Sequence, residues 1–128
     1  MDEPIWLSRQ VVDIIHLEQI AEHGGRPGLR DGNLLESALA RPRQLVTYRE
    51  GVTLPRLAAV LCIGIARNHP FVDGNKRVAL LAMYAFLRLN GRELDADEME
   101  AAETIESVAA GVLGELALTD WIADHIGS

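Results

Sequence analysis

At 128 residues with one cysteine, the chain has the length of one domain, enough to bury about two thirds of the surface its unfolded form exposes. One hydrophobic core over residues 1–128 is therefore expected. The net charge of −7 excludes a protein that coats nucleic acid with a broad basic surface. The longest apolar runs, 57–66 and 78–87, reach about half of the roughly 20 residues that a bilayer crossing takes, which excludes a membrane span.

The charge is unevenly spread: residues 1–40 carry −4, residues 41–92 carry +7 and residues 93–128 carry −10. The basic middle third suits a polyphosphate ligand, with scattered solvated arginines as the plainer alternative. The acidic last third is a face for a basic partner or a solubilising surface. The opening Met1-Asp2-Glu3-Pro4 lacks the basic-then-apolar order of a secretory signal, so a cytoplasmic protein is expected. Cys62 fits that compartment and, inside an apolar run, reads as a buried small hydrophobe.

Apolar spacing is helical nearly throughout, and six helices are predicted in an all-α chain. Ser8 caps the first, which runs to about His23 before Gly24-Gly25 stops it. Residues 24–28 then form a loop. Asp31 caps the second, from about Gly32 to Arg41, where Pro42 is expected to end it. Residues 43–51 are expected to be an extended flap. Thr53 and Pro55 begin the third helix, through about Arg67. The fourth starts near Asn75 and closes at Asn90-Gly91. Both of these are apolar nearly all round, the mark of the buried centre of a bundle. Asp95 with Glu98 offers a capping box for a fifth helix to about Ala110, and residues 114–126 make a sixth. Short strands are expected at 5–7 and 92–94. Trp6 and Trp121 lie at a partner surface or, the favoured reading, in the core.

Between helices three and four lies His69-Pro70-Phe71-Val72-Asp73-Gly74-Asn75-Lys76-Arg77, which contains the only lysine of the sequence. A helix start leaves unpaired N–H groups, so Gly74 and Asn75 present donors suited to an anion. Lys76 and Arg77 sit unfavourably at the positive end of the helix dipole unless something negative is bound there. His69 is the side chain best matched to removing a hydroxyl proton near neutral pH. Asp73 is a hard oxygen ligand suited to a partly hydrated Mg²⁺ bridging substrate phosphates, or else a turn residue or N-cap. Asn75 either orients a phosphate or caps the helix, and Phe71 anchors the loop. Arg67 contacts phosphate or, the favoured reading, supports the end of its own helix. Together these are the parts that phosphoryl transfer requires.

These nine residues resemble the signature of the Fic/Doc superfamily, and the ending Asn75-Lys76-Arg77 resembles its death-on-curing branch. Residues 24–28 and 34–42 resemble the upstream segments of the same toxins. The resemblance implies a six-helix Fido fold, with a central motif loop between two buried helices and a short flap at 43–51 over the nucleotide. It implies roles residue by residue: His69 as general base, Phe71 as anchor, Asp73 as Mg²⁺ ligand, and Gly74, Asn75, Lys76 and Arg77 as phosphate cradle. Fic adenylyltransferases have glycine where this chain has Lys76 and a second arginine where it has Leu80. That departure implies a reversed nucleotide and an ATP-dependent kinase acting on a threonine of elongation factor Tu, thereby stopping translation. The alternatives are adenylyl transfer to a hydroxyl and an inactive Fido scaffold that binds a nucleotide or a partner.

A small cognate antitoxin is implied as well. Thr47-Tyr48-Arg49-Glu50-Gly51 is one residue too short for the inhibitory Ser/Thr-x3-Glu pattern, so restraint is expected from another chain. A helix-turn-helix reading of 57–90 fails because its recognition helix would be apolar on every side. A metal hydrolase lacks a third clustered ligand beside His69 and Asp73.

Overall fold

Six helices follow in chain order: α1 (Arg9–His23), α2 (Gly32–Tyr48), α3 (Leu54–Asn68), α4 (Asn75–Leu89), α5 (Glu98–Ala109) and α6 (Glu115–His125). The structure is a computed structural model and describes residues 3–127, so Met1 and Asp2 of the acidic opening, and Ser128, lie outside it. Among the described residues extended pairing is limited to two isolated antiparallel bridges, Leu29 with Phe71 and Leu94 with Ile126. The class is all-α, as the periodicity implies.

Local signals set most helix starts. Ser8 Oγ accepts from Val11 N at 3.3 Å. Asp31 Oδ1 accepts from Asn33 N and Leu34 N, and Thr53 Oγ1 accepts from Arg56 N. Each satisfies donors that the first turn leaves unpaired. The fifth helix departs from expectation. Its cap is Asp97, which accepts from Glu100 N, and the Asp95 N–H that the expected capping box would offer to Glu98 is instead given to His125 O at 2.7 Å. That bond belongs to the Leu94–Ile126 bridge, to which the expected strand at 92–94 is reduced. The strand expected at 5–7 does not form. Ile5 instead gives its N–H to Asn90 Oδ1 at 2.8 Å and receives Asn90 Nδ2 on its carbonyl at 3.0 Å.

Two larger corrections concern α2. Pro42 does not end it; the helix continues to Tyr48 with Pro42 buried inside. A proline there forfeits the bond to the Ala38 carbonyl and costs about 3 kcal/mol. Packing outweighs that cost. Leu35, Ala38 and Leu39 are buried against α3, and beyond the proline Leu45 and Val46 still pack on the core. The approach is close enough that a Cβ on Gly64 would lie 3.0 Å from Ala38 Cβ.

The expected flap at 43–51 is therefore mostly helix. It also lies at the wrong end of the molecule. Asn68 Nδ2 donates to Leu34 O, so the start of α2 sits beside the end of α3. Tyr48 and Arg49 consequently sit beside Arg56 and Val60. With Leu34 beside Asn68, a rise of about 1.5 Å per residue sets Arg43 about 13 Å and Tyr48 about 21 Å along α2 from the motif's end of α3.

α3 packs against α2, α4, α5 and α6, with every residue from Leu57 to Ala66 buried. Cys62 is fully enclosed, and burial pushes its thiol up to about 12. Both tryptophans sit at the edge of the core. Trp6 stacks on Phe86 at 6.0 Å under the Arg43 guanidinium. Trp121 stacks on His125 at 4.5 Å and donates Nε1 to Glu100 Oε1.

Candidate functional site

The motif loop joins the two central helices. His69 ends α3 in the left-handed region (φ 51°, ψ 56°) and is the one non-glycine residue with positive φ among the described residues. Pro70 disfavours a helical His69, and the left-handed turn stops α3. Such a conformation costs about 1 kcal/mol or more and persists where the surroundings over-determine it. Those surroundings are Arg30, whose Nε donates to His69 O at 2.6 Å and whose Nη2 donates to Asn68 O at 2.8 Å. The His69 side chain is left exposed.

The loop lies along residues 28–31. Val72 N donates to Gly28 O at 3.0 Å, while Pro70 O accepts from Arg30 N at 2.7 Å and Asp31 N at 3.0 Å. In such an antiparallel pair the residue between the bonded ones turns its own N–H and C=O the other way. That residue is Phe71, buried to 2%. Asn75 meets both groups: Oδ1 accepts from Phe71 N at 2.9 Å and Nδ2 donates to Phe71 O at 3.0 Å. The Asn75 side chain is thus a clamp on the loop and not an N-cap, a position that Gly74 holds.

Gly74 is the N-cap of α4, with φ 83°, and no side chain caps the helix there. The backbone N–H groups of Gly74, Asn75, Lys76 and Arg77 have no partner among the described residues. Asp73 is neither buried nor a cap. Its Oδ2 accepts from Arg26 N at 2.7 Å, which holds the carboxylate beside the turn and leaves Oδ1 unused. The backbone of residue 25 runs so close that a Cβ there would sit 3.3 Å from Asp73 Cβ, and Gly25 has φ 112°. No group of three His, Cys, Asp or Glu side chains is placed to hold a metal among the described residues. A cation here would take Asp73 together with oxygens of a bound phosphate, as Mg²⁺ commonly does.

The conflict of Lys76 with the helix dipole is met within the chain. Lys76 Nζ lies 2.9 and 3.1 Å from the two carboxylate oxygens of Glu106 on α5. Arg77 is exposed and has no acidic partner among the described residues. Leu80, one turn further, packs partly buried against the core. Arg67 is the basic residue of the last turn of α3, where its charge suits the helix end as the favoured reading has it, and its Nε donates to Val108 O and its Nη2 to Leu113 O, tying the α5–α6 connection to α3. The basic middle third does not gather at the motif. Arg56 pairs with Glu115, Lys76 with Glu106 and Arg88 with Glu93, so acids of the last third partner some of its cations. A cavity of about 420 Å³ lined by Arg41, Tyr48, Arg49 and Arg56 opens at the far end of α3, away from the motif's chemistry.

Sequence reasoning did not find His16, Arg30 or Glu106 as parts of the site. The first two come from segments well upstream and the third from α5, and no spacing relates them to the motif. The Asp31 cap, which starts α2 on the motif loop, was the one available hint that residues 28–31 lie there.

The family model described as Fic/DOC family matches residues 6–87. Over 120 residues the chain is 40% identical to "Toxin Doc" of Mycolicibacterium smegmatis (strain ATCC 700084 / mc(2)155), covering 91% of this chain and 85% of that protein. Over 122 residues it is 31% identical to "Protein kinase doc" of Escherichia phage P1, covering 95% and 96%. A solved structure of BepC from Bartonella tribocorum with bound AMPPNP shares 18% identity at a TM-score of 0.47, over 82% of this chain and 54% of that one, a likeness too low to carry an argument. On the family match and these two relatives, the chain belongs to the Fic/DOC family.

Proposed function

We propose that this single domain is a Doc-type toxin, a nucleotide-dependent transferase that moves the γ-phosphoryl group of ATP to a threonine hydroxyl of elongation factor Tu and is restrained by a small cognate antitoxin. The observation that carries this reading is the turn at 74–77: unpaired N–H groups and the unpartnered Arg77 guanidinium stand next to an exposed histidine and a held carboxylate. Relatives whose names are Toxin Doc and Protein kinase doc support it.

In this reaction His69 accepts the threonine proton as its oxygen bonds to the γ-phosphorus, and the bond to the bridging oxygen of ADP breaks. The N–H groups at 74–77 and Arg77 hold the phosphate oxygens where negative charge grows. Lys76 adds a cation once it leaves Glu106. Mg²⁺, held by Asp73 and the phosphates, supplies charge neutralisation when bound. Lys76 stands where adenylyltransferases have glycine, and Leu80, partly buried against the core, offers no charge for an anion, which favours γ- over α-phosphoryl transfer.

Incubation with elongation factor Tu and ATP labelled at the α or the γ position tests the assignment. Label arriving from γ, and lost in His69→Ala, is the expected result. Label from α would make the protein an adenylyltransferase, and none from either would leave an inactive scaffold.

A further inference from the structure

His16 lies in the middle of α1, is 3% exposed, and has no part in the transfer chemistry just described. Its ring stacks on Phe71 with centroids 4.0 Å apart and planes inclined by 13°. Its Nε2 stands 3.0 Å from the backbone carbonyl oxygen of Asp73. A carbonyl only accepts, so the proton is on Nε2, and the loop itself selects the tautomer. The ring edge also lies 3.8 Å from where a Cβ on Gly74 would stand.

The peptide plane explains why this contact bears on phosphate. In a trans peptide the C=O and the following N–H point in opposite directions. With the Asp73 carbonyl directed onto His16, the Gly74 N–H is directed away from it, and the N–H groups of residues 75–77 that follow are also unpaired. Gly74, with φ 83°, tolerates backbone conformations closed to other residues, so little in the turn itself opposes rotation of that peptide. Rotated, it would aim a carbonyl oxygen at the anion in place of a donor.

We propose that His16 is a positioning residue that locks the Asp73–Gly74 peptide in the orientation in which the turn at 74–77 receives phosphate. Phe71 and the stack hold the ring; the Nε2–H holds the peptide. This rests on the phosphate-binding reading of the turn, and the test separates the two.

His16→Phe keeps a stacking ring and removes the donor, whereas His16→Gln keeps a donor and removes the ring. Mg·ATP affinity is measured by calorimetry, melting temperature in parallel, and the Gly74 amide by ¹⁵N NMR in ligand-free protein. The expected result is about a tenfold loss of Mg·ATP affinity in His16→Phe, the size typical when an outer-shell partner is lost. A shifted Gly74 amide resonance should accompany it, and His16→Gln should stay near wild type in both. Wild-type affinity and an unmoved Gly74 amide in His16→Phe would overturn the proposal. So would equal losses in both variants that track melting temperature, or failure of both to fold, since His16 would then serve the core alone. Wild-type protein that binds no Mg·ATP would refute the phosphate reading, while the Gly74 amide would still report whether His16 sets the peptide.

Discussion

Asn75→Ala deletes both hydrogen bonds that the Asn75 side chain makes to Phe71. Phe71 N and Phe71 O, at 2.9 and 3.0 Å from the amide, lose their partners inside a residue only 2% exposed. A buried polar backbone group left unpaired costs about 1–3 kcal/mol, so two cost about 2–6. A water entering the space vacated by the amide recovers part of this, which sets the expected loss at about 3 kcal/mol, or roughly 10 °C in melting temperature for a domain of this size. Asn75→Asp should be as damaging near neutral pH, because it keeps the acceptor for Phe71 N but sets a second oxygen against Phe71 O. It should recover in acid, where a protonated carboxyl can donate again. Urea unfolding gives the stability change, and amide exchange at Phe71 locates it. An Asn75→Ala protein within about 0.5 kcal/mol of wild type, with Mg·ATP affinity collapsed, would refute the clamp and make this side chain a phosphate ligand.

Cys62 should resist thiol reagents at pH 8 until the protein unfolds, since its thiol is pushed up to about 12 from 9.0 by burial. The unfolded chain releases that proton first, so stability is whole below about pH 9 and falls as pH rises from there toward 12; denaturation midpoints that stay level between pH 8 and 11 would contradict this. Arg30→Ala frees the last carbonyls of α3, Asn68 O and His69 O, which water can partly satisfy. About 1 kcal/mol of stability should go, and the transfer rate constant should fall while nucleotide affinity holds; an unchanged rate would show that Arg30 does not position His69. Glu106→Gln frees Lys76 from a pair whose side chains are 47% and 64% exposed. Such a pair is worth less than about 1 kcal/mol, so Mg·ATP binding should tighten by up to about fivefold at low salt. Equal affinity of mutant and wild type at low salt would mean that Glu106 does not compete with phosphate.

The helix starts at Ser8, Asp31 and Thr53 were legible because a cap is a contact between residues two or three apart, and the sequence prints such neighbours side by side. Pro42 was misread for the complementary reason. Its local penalty is visible in any proline, whereas the packing of Ala38 against Gly64 that outweighs it joins two distant segments. The capping box read at Asp95 failed on similar grounds, because the N–H it would offer to Glu98 is given to His125 O across the fold. The expected flap failed with Pro42: once α2 continues, residues 43–48 are carried to the start of α3, and residues 28–31 are what lie against the motif.

By itself the sequence determined the all-α class, the two buried central helices and the place of the motif between them, because helical periodicity, caps and a contiguous nine-residue signature are all short-range properties. It also identified His69, Asp73 and the 74–77 turn as a phosphate-suited cluster from residue chemistry alone. The tertiary structure alone decided what each polar group has as its partner. Asn75 clamps Phe71, Arg67 holds the α5–α6 connection, Glu106 takes Lys76, and His16 meets the Asp73 carbonyl. Hydrogen bonds and ion pairs act over about 3 Å in space and are indifferent to separation along the chain, so only the folded arrangement selects among the donors and acceptors that the sequence supplies.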